Sequence, residues 1–151
     1  MTTFVVLLRA VNVGGRKVEM AKLRQVAEKA GFKGVRTYIA SGNLLLSGTG
    51  KPEAVAARLE AAIGKAFGIT VPVIVRTADQ WQAYVTDNPF PKAPPNMLYL
   101  GLSQQAPNKD AAKTALAKAI GGEQAKLVGD GLWIMNRVDG LNFTHTLPWQ
   151  E

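Results

Sequence analysis

The chain contains no cysteine and a single histidine, His145. Disulfides, thiolate metal sites, iron–sulfur clusters and cysteine nucleophiles are therefore excluded, and so is a histidine-rich metal centre. Acidic residues are scarce at the start: residues 1–76 hold twelve Lys/Arg against four Glu, a net of +8, while residues 77–151 carry a net of −1. Long apolar runs are also missing. Phe4 to Leu8 is far too short to span a bilayer or form a signal core, and Met1-Thr2-Thr3 lacks a basic lead. A cytoplasmic protein without membrane partners is the expectation. No Gly-x-Ser-x-Gly elbow, P-loop or GxGxxG fingerprint occurs. Ser41, His145 and Asp130 or Asp139 therefore form no recognisable nucleophilic set.

What is present is an ordinary globular balance, 47% hydrophobic and 19% charged over 151 residues. Thr3 to Arg9 reads as a strand, followed by a loop, Ala10 to Lys17, centred on Gly14-Gly15. Met20, Leu23, Val26, Ala27 and Ala30 recur at helical spacing, and Gly31-Phe32 fits a glycine helix stop backed by an apolar residue. Val35 to Ala40 and Asn43 to Ser47 read as strands around a Ser41-Gly42 turn. Pro52 opens a second helix with Val55, Leu59, Ala62, Ile63, Ala66 and Phe67 on one face, and Val71 to Arg76 is a strand that Pro72 places at a sheet edge.

That order is β-α-β-β-α-β, a ferredoxin-like unit. Thr77-Ala78-Asp79-Gln80 is a capping-box pattern opening a short helix, and Asn88 to Pro95 reads as a stiff connector. Asn96 to Leu102 is a strand, Asn108 caps a helix over Ala111 to Ile120, and Ala125 to Val128 and Leu132 to Asn136 flank an Asp130-Gly131 turn. The expected architecture is thus α+β: a ferredoxin-like half (1–76), a helix and Pro-rich connector (77–95), and a second, incomplete βαββ half (96–151), in one compact domain. Strands without alternation, such as Phe4 to Leu8 and Leu44 to Leu46, imply burial on both sheet faces. The second half is the expected cover, with a homodimer the next arrangement.

Topology also tells which loops meet. With the first two strands parallel and the third between them, the end of the first strand, the start of the first helix and the Ser41-Gly42 turn share one edge. That edge gathers Arg9, Asn12, Gly14, Gly15, Arg16, Lys17, Ser41, Gly42 and Asn43. Cations, orientable amides and glycines at a helix start suit an anionic small molecule, with Arg9 as the bidentate anchor. No general base or nucleophile stands out and no cofactor is implied, so binding is the firmer expectation and an enzyme of unknown reaction the wider one. The alternative is a nucleic-acid or protein interaction module using Lys17, Lys22, Arg24, Lys29, Lys33 and Arg36. An RRM mode is disfavoured, because Asn43 to Ser47 carries no aromatic for base stacking.

The ordered set Leu7-Leu8-Arg9-Ala10-Val11-Asn12-Val13-Gly14-Gly15, Met20, Leu23, Gly31-Phe32 and Thr37-Tyr38-Ile39-Ala40-Ser41-Gly42-Asn43 closely resembles the signature of the bacterial "domain of unknown function 1697" family. Asn88-Pro89-Phe90 and Leu98-Tyr99-Leu100 look like its later landmarks. The resemblance implies an α+β plait-like fold and a cytosolic bacterial protein, and supplies no activity. Ala10 stands where the family pattern has glycine, so a methyl group is expected to narrow any pocket there. The family pattern continues into a Ser-Lys-Leu-containing helix that Gly140 to Leu147 only faintly echoes, so the second half is expected to lack closing elements.

Overall fold

The computed structural model describes residues 1–40, 42–117 and 122–135. The chain divides into two units, Met1–Gln82 and Ala83–Glu151. In the first, β1 (Thr2–Leu8), α1 (Met20–Lys29), β2 (Lys33–Tyr38), β3 (Asn43–Gly48), α2 (Pro52–Phe67) and β4 (Val73–Thr77) follow one another. Their antiparallel pairings build one sheet in the order β2-β3-β1-β4.

The helix ends obey local chemistry. Gly31 takes φ +98, which lets the Phe32 N–H reach the Ala27 carbonyl and the Gly31 N–H reach that of Glu28. This is a complete Schellman closure, with Phe32 buried behind it. The Arg58 guanidinium caps the same end, donating to Ala30 O at 2.6 Å and lying 4.4 Å over the Phe32 ring. Helix α2 has Pro52 in its first turn and ends at Gly68, φ +69. The core lies between the helices and one sheet face: Leu23, Ala27, Val55, Leu59 and Ile63 pack with Phe4, Val6, Leu44, Leu46, Val73 and Val75.

Three expectations need correction. Strand β2 begins at Lys33 rather than Val35, because a bulge at Gly34 (φ +60) lets Lys33 pair with Ser47. It ends at Tyr38, because Ile39 turns left-handed. Strand β4 begins at Val73; Pro72 has no N–H for the ladder, and the Val73 N–H is taken by the Glu60 carboxylate at 2.9 Å. The outer sheet face is also less covered than the apolar runs implied. Val5, Leu7 and Ile74 are half-buried and Leu45 is exposed, so burial alternates along β1 and at Leu44 to Leu46, while β4 departs from it at the buried Arg76.

Helix α3 (Ala78–Thr86) crosses the division between the units. It opens with the expected capping box: the Thr77 N–H donates to Gln80 Oε1 at 2.8 Å and the Gln80 N–H to Thr77 Oγ1 at 3.1 Å. The second unit holds β5 (Leu98–Gly101), α4 (Ala111–Leu116), β6 (Gln124–Val128) and β7 (Gly131–Met135). Its sheet runs β5-β7-β6, with Ala115 packed against Leu132 and Ile134. The element order and strand order of β5-α4-β6-β7 match those of β1-α1-β2-β3.

Strand β5 starts two residues late because Pro95–Met97 form a single 3-10 turn. The hairpin loop is Gly129-Asp130, one residue earlier than expected, since Val128 pairs with Gly131 and Gly129 supplies the left-handed φ. Asn108 acts two residues ahead of the cap position, accepting from the Asp110 N–H at 2.7 Å, while Asp110 itself stands at the cap. The end of the expected Ala111–Ile120 helix lies outside the described residues, as do Asn136, Asp139, the Gly140–Leu147 echo and His145.

Candidate functional site

The edge assembles as topology requires. β1 and β2 both run antiparallel to β3, so Leu8 and Tyr38 end at the same side of the sheet. The Leu8 N–H donates to Gly42 O at 2.9 Å and the Arg9 N–H to Pro72 O at 3.0 Å. The β1–α1 loop, the β2–β3 turn and the α2–β4 loop therefore meet there.

Asn12 organises this meeting. Its Nδ2 donates to Val18 O at 3.1 Å and to Ala40 O, and its Oδ1 accepts from the Val18 N–H at 2.9 Å. Both amide hydrogens are thus committed to backbone, and Asn12 positions the loop instead of orienting a ligand. Its own N–H closes the loop on Arg16 O at 2.7 Å, and the Arg16 N–H returns to Val13 O at 3.1 Å. Arg16 is likewise turned inward: Nη2 donates to Thr70 O, and Nε is buried without a partner. Gly42 is buried at φ +84, and a Cβ there would stand 2.7 Å from Val11 Cγ2 and 2.8 Å from Leu8 Cβ. Asn43 sits in the sheet between Leu7 and Tyr38. Ser41 lies outside the described residues.

What remains open to solvent is the loop apex. Gly14 and Gly15 adopt φ +56 and +82, and nothing stands within 4 Å of where a Cβ would project. Arg9 and Lys17 are exposed and make no side-chain hydrogen bond among the described residues. The apex precedes α1 by several residues, since that helix starts at Met20 with Glu19 at its cap position. The open amides are therefore those of the loop and not of the helix's first turn, which begins behind Glu19.

Backbone strain concentrates at this edge: Ala10 (φ 55), Asn12 (φ 57) and Ile39 (φ 53) are the non-glycine residues with positive φ among those described. Asparagine tolerates that region; alanine and a β-branched residue do not. Ala10 is exposed, so the consequence of its methyl is backbone strain where a narrowed pocket was expected. Ala10→Gly should raise stability by about 1 kcal/mol, and a melting temperature unchanged or lowered would contradict this.

Several cations of the basic half hold the fold together. Lys22 Nζ donates to Ala66 O at 3.2 Å and lies 4.7 Å over the Phe67 ring. Arg24 donates to Thr37 Oγ1 at 2.6 Å, and Arg58 closes α1. A groove of about 480 Å³ lies at the opposite end of the sheet, beside the β2 bulge, with Glu28 and Arg36 on its rim. Tyr38 and Ile39, adjacent residues within the family-like segment Thr37 to Asn43, were not among the expected site residues, yet both are exposed at this edge.

Antiparallel sheets and helices of mixed order make this an α+β protein. The chain belongs to the family described as "Protein of unknown function (DUF1697)", whose pattern matches residues 1–133. It is similar to the solved structure of the conserved bacterial protein SP0830 from Streptococcus pneumoniae. The two are 20% identical with a TM-score of 0.78, over 92% of this chain and 78% of that one, a likeness of fold. No curated protein matches the chain. No helix among the described residues is long and apolar enough to cross a membrane.

Proposed function

We propose that the first unit is a ferredoxin-like module that binds a small molecule bearing a phosphate or carboxylate at the Gly14-Gly15 apex, between Arg9 and Lys17. The observation that carries this reading is the Asn12 bracket, which holds an exposed glycine turn rigid beside two uncommitted cations. Rigid, strained loops at a sheet edge are where folds place preorganised sites. Glycines allow close approach to the backbone amides, while Arg9 and Lys17 supply charge. A cysteine-free chain suits the reducing cytoplasm in which phosphorylated metabolites abound.

The broad polyanion face is the weaker reading, because Lys22 and Arg24 are tied to carbonyl and hydroxyl oxygens within the fold. A thermal-shift screen with phosphorylated and carboxylated metabolites separates the two. At 100 times the dissociation constant a ligand adds about 2.7 kcal/mol, a shift of roughly 5–10 °C at this size. The double variant Arg9→Ala/Lys17→Ala should abolish the shift, and Lys29→Ala/Lys33→Ala, which removes the same charge elsewhere, should retain it. Equal loss in both variants would favour the polyanion face; no shift with any anion would end the proposal.

A further inference from the structure

Tyr38 and Ile39 deepen that reading. Tyr38 is 72% exposed and Ile39 63%, at the same sheet end as Arg9. The chain holds Ile39, a β-branched residue, in a left-handed conformation that glycine or asparagine would adopt with less strain. Register places Tyr38 opposite Asn43 and Asn43 opposite Leu7, so Tyr38 and Leu7 lie on the sheet face away from α1 and α2. They are two strand spacings apart, about 10 Å. Arg9 follows directly on the end of β1 at Leu8, where its N–H donates to Pro72 O. The Asn12 bond to Ala40 carries the loop holding Lys17 to the residue next to Ile39. An exposed aromatic ring and two exposed cations thus stand on segments that meet at one end of the sheet.

Resting on the anion reading above, we infer that the ligand joins a planar ring to its anionic group, as a nucleoside phosphate does: the ring stacks on Tyr38 and the phosphate lies at Arg9 and Lys17. Charge complementarity selects an anion for this patch. Its exposed apolar residues, Val13, Tyr38 and Ile39, offer far less than the roughly 800 Å² per partner of a stable protein interface, which selects a small occupant. Phenol rings stack bases without demanding a particular one.

Isothermal titration of the full chain with inorganic phosphate, a nucleoside and its 5′-monophosphate tests this. The monophosphate should bind about tenfold more tightly than phosphate, the effect of one base–aromatic stack. Tyr38→Ala should reduce it to the phosphate level, and Tyr38→Phe should retain it. Circular dichroism melting should be unchanged in both, since the side chain is exposed. Equal affinities for phosphate and monophosphate, or full affinity in Tyr38→Ala, would overturn the ring assignment and leave the anion site standing. A nucleoside binding as tightly as its monophosphate, or no binding by any probe, would overturn both.

Discussion

Gly42→Ala should lower the melting temperature by roughly 10 °C. Two terms act together. Gly42 sits at φ +84, where an L side chain adds about 1–2 kcal/mol of strain. Its new Cβ would also stand 2.7 Å from Val11 Cγ2 and 2.8 Å from Leu8 Cβ. Neither is the free end of a long side chain: Leu8 Cβ is fixed to the end of β1, and Val11 is buried. Forcing such contacts apart typically adds about 1–3 kcal/mol. The sum, about 3–4 kcal/mol, converts at roughly 2–4 °C per kcal/mol for a chain of this length. Gly14→Ala provides the internal control, because φ is again positive (+56) but nothing lies within 4 Å. It should lose only the strain term, roughly 2–8 °C. Equal losses at the two positions would show that the packing of Gly42 against Val11 contributes nothing.

Asn12→Ala should destabilise by about 4 kcal/mol, with its largest local effect at Val18. The substitution leaves the Val18 N–H, the Val18 carbonyl and the Ala40 carbonyl without their partner. Val18 is buried, so water cannot fully replace the amide. Each lost bond is worth about 1 kcal/mol net, and alanine at φ 57 adds strain that asparagine avoids. Asn12→Asp should be no better than alanine. It keeps the acceptor for the Val18 N–H but turns a carboxylate oxygen toward two carbonyls, having lost both donors. Urea unfolding gives the global value, and native-state hydrogen exchange reads the local one: the Val18 amide should exchange faster in both variants. A Val18 amide as protected as in the parent chain would mean that the loop is held by other contacts. Loss of anion binding in Asn12→Ala, with Arg9 and Lys17 intact, would mark Asn12 as a positioning residue.

The order of strands and helices, the faces the helices bury and the way they end are written in the sequence by itself. Thr77 and Gln80 cap each other across three residues, and Gly31-Phe32 closes α1 on carbonyls within the preceding turn. These devices act between near neighbours, so residue type and spacing are enough to reveal them. The segments that share the candidate edge were legible too, because the handedness of the crossover leaves one arrangement. What each side chain does there was decided only by tertiary structure. Asn12 answers a carbonyl 28 residues away and Arg16 one 54 residues away. A free amide and a free guanidinium look identical in sequence to committed ones. The exposure of Tyr38 and Ile39 was not legible for the same reason: both suit a strand interior by residue type, and it follows from where β2 stops against β3. Local propensity sets the elements; the long-range hydrogen bonds determine which polar groups remain for a ligand.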